Sequence, residues 1–206
     1  MSISLYAFVP MIVICSVTGC GGDPSRLDPA DLDPADTAER ALKLYDLNHD
    51  GKIGKDELTP ALKSILSTAD TNHDEALSQA EIAQRLQIHV DSKIALQSVS
   101  GPVLWNGRPL KQVNVTLVPD PVFEDLKPAS GVTDESGIVD FQIDGEELPG
   151  VRPGLYRIEV SKKNENGKEL MPARFNTKTE LGIEIGVQGS PEGGMAAESF
   201  RLDLRG

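Results

Sequence analysis

The sequence predicts an α+β fold in which helices and strands occupy separate domains. A small all-α unit comes first, and an antiparallel, seven-stranded β-sandwich follows it. Between residues 36 and 93, apolar residues recur at the spacing of amphipathic helices. Between residues 97 and 206, short segments of alternating apolar and polar residues are separated by Gly- and Pro-rich turns. The chain has 206 residues, which is enough for two small domains.

Residues 1–19 have the composition of a signal peptide. The first 20 residues contain no charged side chain, and the apolar segment 5–17 is shorter than the roughly 20 residues of a membrane-spanning helix. The segment "VTGC" then ends at Cys20 and resembles the lipobox of bacterial lipoproteins. This resemblance implies that the Cys20 thiol is acylated and that Cys20 becomes the mature N-terminus. The alternative is an ordinary signal peptide or short anchor with an incidental cysteine.

Residues 20–35 are predicted to be the lipidated cysteine and a flexible tether. The pentapeptide "LDPAD" occurs twice in tandem, and Asp-Pro steps favour an extended chain with few core residues. A loop packed on the domain is the alternative.

Gly21 follows the cysteine, in place of the Asp that resembles an inner-membrane retention signal. The expected location is therefore the cell envelope, with the outer membrane favoured, facing the periplasm or the exterior.

Three helices are predicted between residues 36 and 93. Asp36 or Thr37 is the expected N-cap of the first helix. Thr59 and Pro60 have the pattern of an N-cap followed by the first helical residue, so we expect the second helix to begin at Pro60. The segment "AEIAQRLQIHV" predicts the third helix.

Two acidic segments of twelve residues connect these helices. "DLNHDGKIGKDE" (loop one) begins at position 46, and "DTNHDEALSQAE" (loop two) begins 24 residues later. Oxygen-bearing side chains at positions one, three and five, with Glu at position twelve, are the pattern of the EF-hand Ca²⁺ loop. The candidate Ca²⁺ ligands are Asp46, Asn48, Asp50, Lys52 and Glu57 in loop one, and Asp70, Asn72, Asp74, Ala76, Ser78 and Glu81 in loop two.

The contributions expected from these ligands differ with position. Lys52 and Ala76 are expected to contribute their backbone carbonyl groups, with the Lys52 ammonium pointing away. The apolar residues at position eight, Ile53 and Leu77, are expected to pair between the loops. The alternative is that both segments are solvated acidic turns. His49 and His73 recur at position four and are interpreted as exposed side chains, with zinc binding as the alternative.

Position six distinguishes the loops, because loop one has Gly51 and loop two has Glu75. This position requires a positive φ, which costs a residue with a side chain about 1 kcal/mol or more. We therefore expect loop two to bind calcium more weakly than loop one, but still to bind it.

The pair of loops resembles the EF-hand pairs of bacterial secreted and surface proteins. Its loop spacing, shorter than in calmodulin-type pairs, favours a rigid unit stabilised by Ca²⁺ over a sensor that opens.

The region 97–206 contains turn signals between its predicted strands. Asn-Gly pairs at 106–107 and 166–167 and the segment "DESG" indicate tight turns. The predicted strands include 113–118, 138–143, 154–161, 181–187 and 198–204. The order of "GPVLWNGRPLKQVNVTLVPD", "ASGVTDESGIVDF", "RPGLYRIEVS" and "MPARFNTKTELGIEI" resembles bacterial transthyretin-like, carboxypeptidase-regulatory-like modules. That resemblance implies a small seven-stranded sandwich and no catalytic residues.

The aromatic residues of this region have two interpretations. Trp105, Phe141, Tyr156 and Phe175 either fill the core of the sandwich, which is the favoured interpretation, or form a binding face.

The overall composition excludes several classes of function. A net charge of −12 argues against nucleic-acid binding, which needs a basic surface. The sequence shows no convincing catalytic triad or phosphate-binding loop, so we do not expect an enzyme. The expected function is that of a calcium-binding, membrane-anchored lipoprotein whose sandwich binds or supports an envelope or extracellular protein or glycan. The alternative is a purely structural or adhesive surface module without a specific ligand.

Overall fold

The computed structural model describes Leu27, Pro29, residues 31–186 and residues 200–206. Within these ranges the protein is of mixed α+β type, with three α-helices and several mainly antiparallel sheets. None of the described helices is long and apolar enough to cross a membrane. The predicted signal peptide, Cys20 and the first residues of the last predicted strand lie outside the described residues.

Helix α1 (Pro34–Tyr45) begins two residues before its expected cap. The Asp33 side chain accepts hydrogen bonds from the backbone N–H groups of Ala35 and Asp36, at 2.9 and 3.0 Å. Asp33 and Pro34 thus form an N-cap and first helical residue, because proline has no N–H that would need a partner at that position. Residues 34 and 35, which were predicted to belong to the flexible tether, are instead part of the helix.

The other two helices have starts set by their caps. Helix α2 (Pro60–Ala69) begins at Pro60 with Thr59 as its N-cap, as predicted. Helix α3 (Gln79–Ser92) begins after Ser78, whose side chain accepts a hydrogen bond from the N–H of Glu81. The Glu81 side chain in turn accepts from the Ser78 N–H, which completes a capping box.

Two short strands join the two acidic loops. Strand β1 (Lys52–Ile53) pairs with β2 (Leu77–Ser78) in antiparallel register, and Ile53 lies opposite Leu77. The predicted pairing of the position-eight residues is therefore confirmed. Both apolar side chains are completely buried, so they belong to the hydrophobic cluster of the helices.

The remaining strands form two sheets. The larger sheet is antiparallel and has the strand order β10-β9-β5-β6-β8, in which the strands are β5 (Asn114–Pro119), β6 (Ala129–Val132), β8 (Gln142–Ile143), β9 (Gly154–Ser161) and β10 (Gly182–Ile185). The smaller sheet consists of β3 (Ser100–Trp105), β4 (Arg108–Pro109), β7 (Ile138–Asp140) and β11 (Leu202–Leu204). Strand β9 has its predicted boundaries, and the turn at Asn106 and Gly107 connects β3 to β4 as expected.

Two details differ from the predicted seven-stranded antiparallel arrangement. Strand β11 runs parallel to β3, so the smaller sheet is not purely antiparallel. The single predicted strand 138–143 divides at Phe141, because β7 pairs with β3 in one sheet and β8 pairs with β6 in the other. The described residues beyond 97 consequently contain nine short strands.

Side chains from both sheets form one hydrophobic cluster. Phe141, Tyr156 and Phe175 lie inside this cluster, and Trp105 packs against it with its ring 5.8 Å from that of Phe175. These positions favour the core interpretation of the aromatic residues over a binding face.

The helices form a second cluster that extends into the β-region. Val122, Phe123 and Leu155, which lie beyond residue 97, are members of this helical cluster. Glycine at position 182 permits a close approach of the sheet to α2, since a Cβ atom there would lie 1.7 Å from the carbonyl oxygen of Pro60. The helical and β-regions were expected to be separate domains, and the structure joins them through a shared apolar interface.

Candidate metal centre

The first carboxylate of each acidic loop organises the turn that follows it. In loop one, Asp46 accepts hydrogen bonds from the backbone N–H groups of Asp50 at 3.1 Å and Gly51 at 2.9 Å. Asp70 of loop two accepts from Asp74 at 3.2 Å and from the following residue at 2.9 Å. The same donors occur at the same positions in both loops.

The asparagine at position three and the aspartate at position five continue this pattern. Asn48 accepts from the N–H of Asp50 at 2.8 Å, and Asn72 accepts from that of Asp74 at 2.9 Å. Asp50 and Asp74 each accept from the N–H two residues further on, at 3.0 and 3.1 Å. In loop two that donor belongs to Ala76.

The glutamate at position twelve closes loop one. Glu57 Oε1 accepts from the N–H groups of Leu47 at 2.9 Å and Asn48 at 3.1 Å, and Oε2 accepts from Gly54 at 2.9 Å. One carboxylate therefore connects the beginning, the middle and the end of the loop.

The corresponding Glu81 is more enclosed than Glu57. It is 6% exposed and accepts from both the N–H and the hydroxyl group of Thr71 and of Ser78. Burial alone would raise the pKa of Glu81, but these hydrogen bonds outweigh it and hold the pKa at about 2. Glu81 is therefore ionised at neutral pH.

Both loops have left-handed backbone conformations at positions four and six. The φ angles are 60° at His49 and 85° at Gly51 in loop one, and 59° at His73 and 62° at Glu75 in loop two. Glu75 thus has the positive φ that was expected to be unfavourable for it. Loop two keeps the turn of loop one in spite of the missing glycine.

Lys52 contacts the neighbouring loop with its side chain. Its ammonium group is paired with Asp74 Oδ2, while its backbone lies opposite Ser78 in the short sheet. The side chain was expected to point away from its own loop, and it contacts a candidate ligand of the other loop. The Lys52 ammonium lowers the pKa of Asp74, chiefly through this hydrogen bond.

The candidate ligands supply oxygen atoms, which suit a hard cation. Among the described residues, however, no three His, Cys, Asp or Glu side chains converge closely enough to form a metal-binding group. The loop carboxylates are turned toward backbone N–H groups. Since each carboxylate has about four lone-pair sites, an aspartate that accepts two N–H groups retains oxygen lone pairs for a cation. The donor set therefore suits calcium.

A buried carboxylate beyond the loops contacts both ends of loop one. Asp120 is 3% exposed, and it accepts hydrogen bonds from the hydroxyl groups of Tyr45 and Thr59, both at 2.7 Å. Sequence reasoning missed Asp120, because it lies 61 residues beyond Thr59 and 75 beyond Tyr45. No local pattern connects residues at such separations.

A second buried cluster connects α3 to strand β10. Glu184 accepts hydrogen bonds from Arg85 Nε at 2.9 Å and Nη2 at 2.5 Å, and its Oε1 lies 2.9 Å from His89 Nε2. Burial alone would raise the pKa of Glu184, but these two partners hold it below the usual range. This cluster was also missed, because α3 and β10 are distant in sequence.

Comparisons of the chain with known protein families, with curated proteins and with solved structures found no match. The motif pattern and the geometry of the two loops are therefore the features that bear on function.

Proposed function

We propose that this protein is a calcium-binding lipoprotein of the cell envelope, in which loops one and two form an EF-hand pair. The observation that carries the proposal is the agreement between the loops. The same backbone hydrogen bonds and positive φ angles recur 24 residues apart, and the two loops pair with each other in one short antiparallel sheet. Two unrelated acidic turns would have no reason to share all three features.

The carboxylates of each loop would supply the charged ligands for calcium. Asp46, Asp50 and Glu57 would supply the negative charge in loop one, and the corresponding Asp70, Asp74 and Glu81 would do so in loop two. The bound ion supplies a divalent charge that offsets repulsion among these carboxylates. The aspartates that accept backbone N–H groups keep oxygen lone pairs with which they would bind the ion.

The β-region is proposed to be a transthyretin-like, carboxypeptidase-regulatory-like sandwich. Its support is the pair of sheets that share one hydrophobic cluster. We propose that this module binds or supports an envelope or extracellular protein or glycan, and that it has no enzymatic role. The apolar interface shared with the helices also suits the alternative function, a rigid structural or adhesive module without a specific ligand.

Calorimetric titration of the full-length chain in detergent tests the calcium proposal. We expect two sites, of which Glu57→Gln weakens the first and Glu81→Gln the second, each by at least about tenfold, because a ligating carboxylate is lost. Asp56→Asn is the matched control, since it removes one negative charge from loop one at an exposed position outside the donor set. Absence of binding at about 1 mM free calcium would overturn the proposal.

Lipidation at Cys20 is tested by expression in a bacterium that processes lipoproteins. The wild-type chain should partition into the detergent phase, and Cys20→Ser should move to the aqueous phase, because it lacks the thiol that is acylated. Cys15→Ser is the control, because it alters the other cysteine of the same segment. Retention of lipid by Cys20→Ser would refute the anchor.

A further inference from the structure

Asp120 contacts one residue on each side of loop one, Tyr45 before it and Thr59 after it. It follows strand β5, and its backbone N–H donates to the Leu155 carbonyl oxygen at 2.9 Å, which attaches it to β9. Its Oδ1 accepts from the Tyr45 hydroxyl group at 2.7 Å and from the Val122 N–H at 3.2 Å. Its Oδ2 accepts from the Thr59 hydroxyl group at 2.7 Å.

Tyr45 and Thr59 lie on opposite sides of loop one in the sequence, and both donate hydrogen bonds to Asp120. Tyr45 is the last residue of α1 and precedes Asp46, the first candidate ligand. Thr59 is the N-cap of α2 and follows Glu57, the last candidate ligand, by two residues. The two oxygens of one buried carboxylate therefore hold the entering and the leaving end of the loop.

We propose that Asp120 is a positioning residue that preorganises loop one for calcium from the edge of the β-sheet. This inference rests on the proposed function. A loop whose ends are already held loses less conformational entropy when it closes around an ion, so it binds more tightly. The other buried carboxylate of the sheet, Glu184, contacts α3 at Arg85 and His89, which lie beyond loop two along the helix.

The test measures each loop separately in the full-length chain. Loop one is titrated with calcium in a Glu81→Gln background, and loop two is titrated in a Glu57→Gln background. Asp120→Asn should weaken loop one by about tenfold, because a strong charge-assisted acceptor becomes a neutral amide. Loop two should change by less than about twofold, which is the spread expected for an independent site.

Two further variants separate positioning from general loss of structure. Tyr45→Phe removes one hydroxyl group and should weaken loop one by about threefold, which keeps the test decisive if Asp120→Asn fails to fold. Glu184→Gln is the matched control, because it also converts a largely enclosed sheet carboxylate to an amide and should reduce stability, but Glu184 contacts α3 and not the residues beside loop one. It should leave the calcium affinity of loop one within about twofold of wild type.

A readout without metal completes the test. In chelator, Asp120→Asn should speed hydrogen exchange at the Leu47 and Asn48 amides of loop one and leave the Thr71 amide of loop two unchanged. Equal weakening of both loops, or an unchanged loop one in Asp120→Asn and Tyr45→Phe, would overturn the inference and leave the proposed function standing. A wild-type chain that binds no calcium would overturn both.

Discussion

Glu75 is the residue at which the two loops differ most. Its φ is 62°, and its N–H donates to Asp70 Oδ2 at 2.9 Å, as the N–H of Gly51 does to Asp46. A Cβ atom built on Gly51 would meet nothing within 4 Å, so a side chain at position six has room. What is unfavourable at Glu75 is therefore its left-handed backbone conformation, which costs about 1 kcal/mol relative to glycine.

Replacement of Glu75 by glycine should tighten loop two. We expect Glu75→Gly to raise its calcium affinity by about fivefold, because glycine adopts positive φ without strain. Loss of one negative charge opposes this gain, but solvent screens that effect in an exposed loop. Calorimetry in the Glu57→Gln background measures the change.

The reciprocal variant Gly51→Ala provides the control, since it should weaken loop one for the same reason. If Glu75→Gly left loop two unchanged or weaker, the backbone at position six would not be strained. Both loops would then owe their affinities to their ligands alone.

Helix α3 is connected to strand β10 by buried charge. The side chains of Arg85 and Glu184 are 9% and 11% exposed, and that of His89 is 2% exposed. Removal of one partner from such a group is costly, because the remaining charge stays buried without compensation. The docking of α3 on the sheet therefore depends on Glu184.

Substitution of Glu184 should destabilise the protein strongly. We expect Glu184→Gln to lower the free energy of unfolding by about 3 kcal/mol, because Arg85 would keep its charge and lose its partner. Urea unfolding followed by circular dichroism measures the change. Glu135→Gln is the control: its side chain is 75% exposed in its pair with Lys111, so it should cost less than about 0.5 kcal/mol. Similar losses of unfolding free energy in both variants would show that burial does not increase the contribution of the Arg85, His89 and Glu184 cluster to stability.

The whole molecule is expected to unfold as one unit. If the two regions were the separate domains that the sequence predicts, calcium would stabilise the helical region and leave the sandwich nearly unaffected. The structure indicates coupling instead, because Val122, Phe123 and Leu155 of the β-region lie in the helical cluster. Loss of calcium would weaken that cluster, and the sheet would lose part of its packing with it.

Chelation should therefore lower a single melting transition. Trp105, the only tryptophan of the chain, lies in strand β3 and reports on the sheet, while far-ultraviolet circular dichroism reports mainly on the helices. The two signals should melt at the same temperature with calcium and should move down together in chelator, because the regions share buried surface. A tryptophan transition that stays in place while the helical signal shifts would show two independent domains.

Local patterns predicted the features that depend on neighbouring residues. Thr59 and Pro60 predicted the start of α2, and Asn106 with Gly107 predicted the first turn of the sheet region. The apolar residue at position eight of each loop predicted the pairing of Ile53 with Leu77. The helix start and the turn follow from capping and backbone preferences within a few residues, and the pairing follows from a motif that occurs twice, so the sequence alone records all three.

Long-range contacts produced the features that the sequence did not reveal. Phe141 divides one predicted strand because the segments on its two sides find partners in different sheets. Asp120 and Glu184 became visible only when folding brought them to partner residues that lie 61 or more positions away in sequence. The contribution of these two carboxylates to stability depends on how far they are buried. The packing of whole helices and strands decides that burial, and no local sequence pattern encodes it.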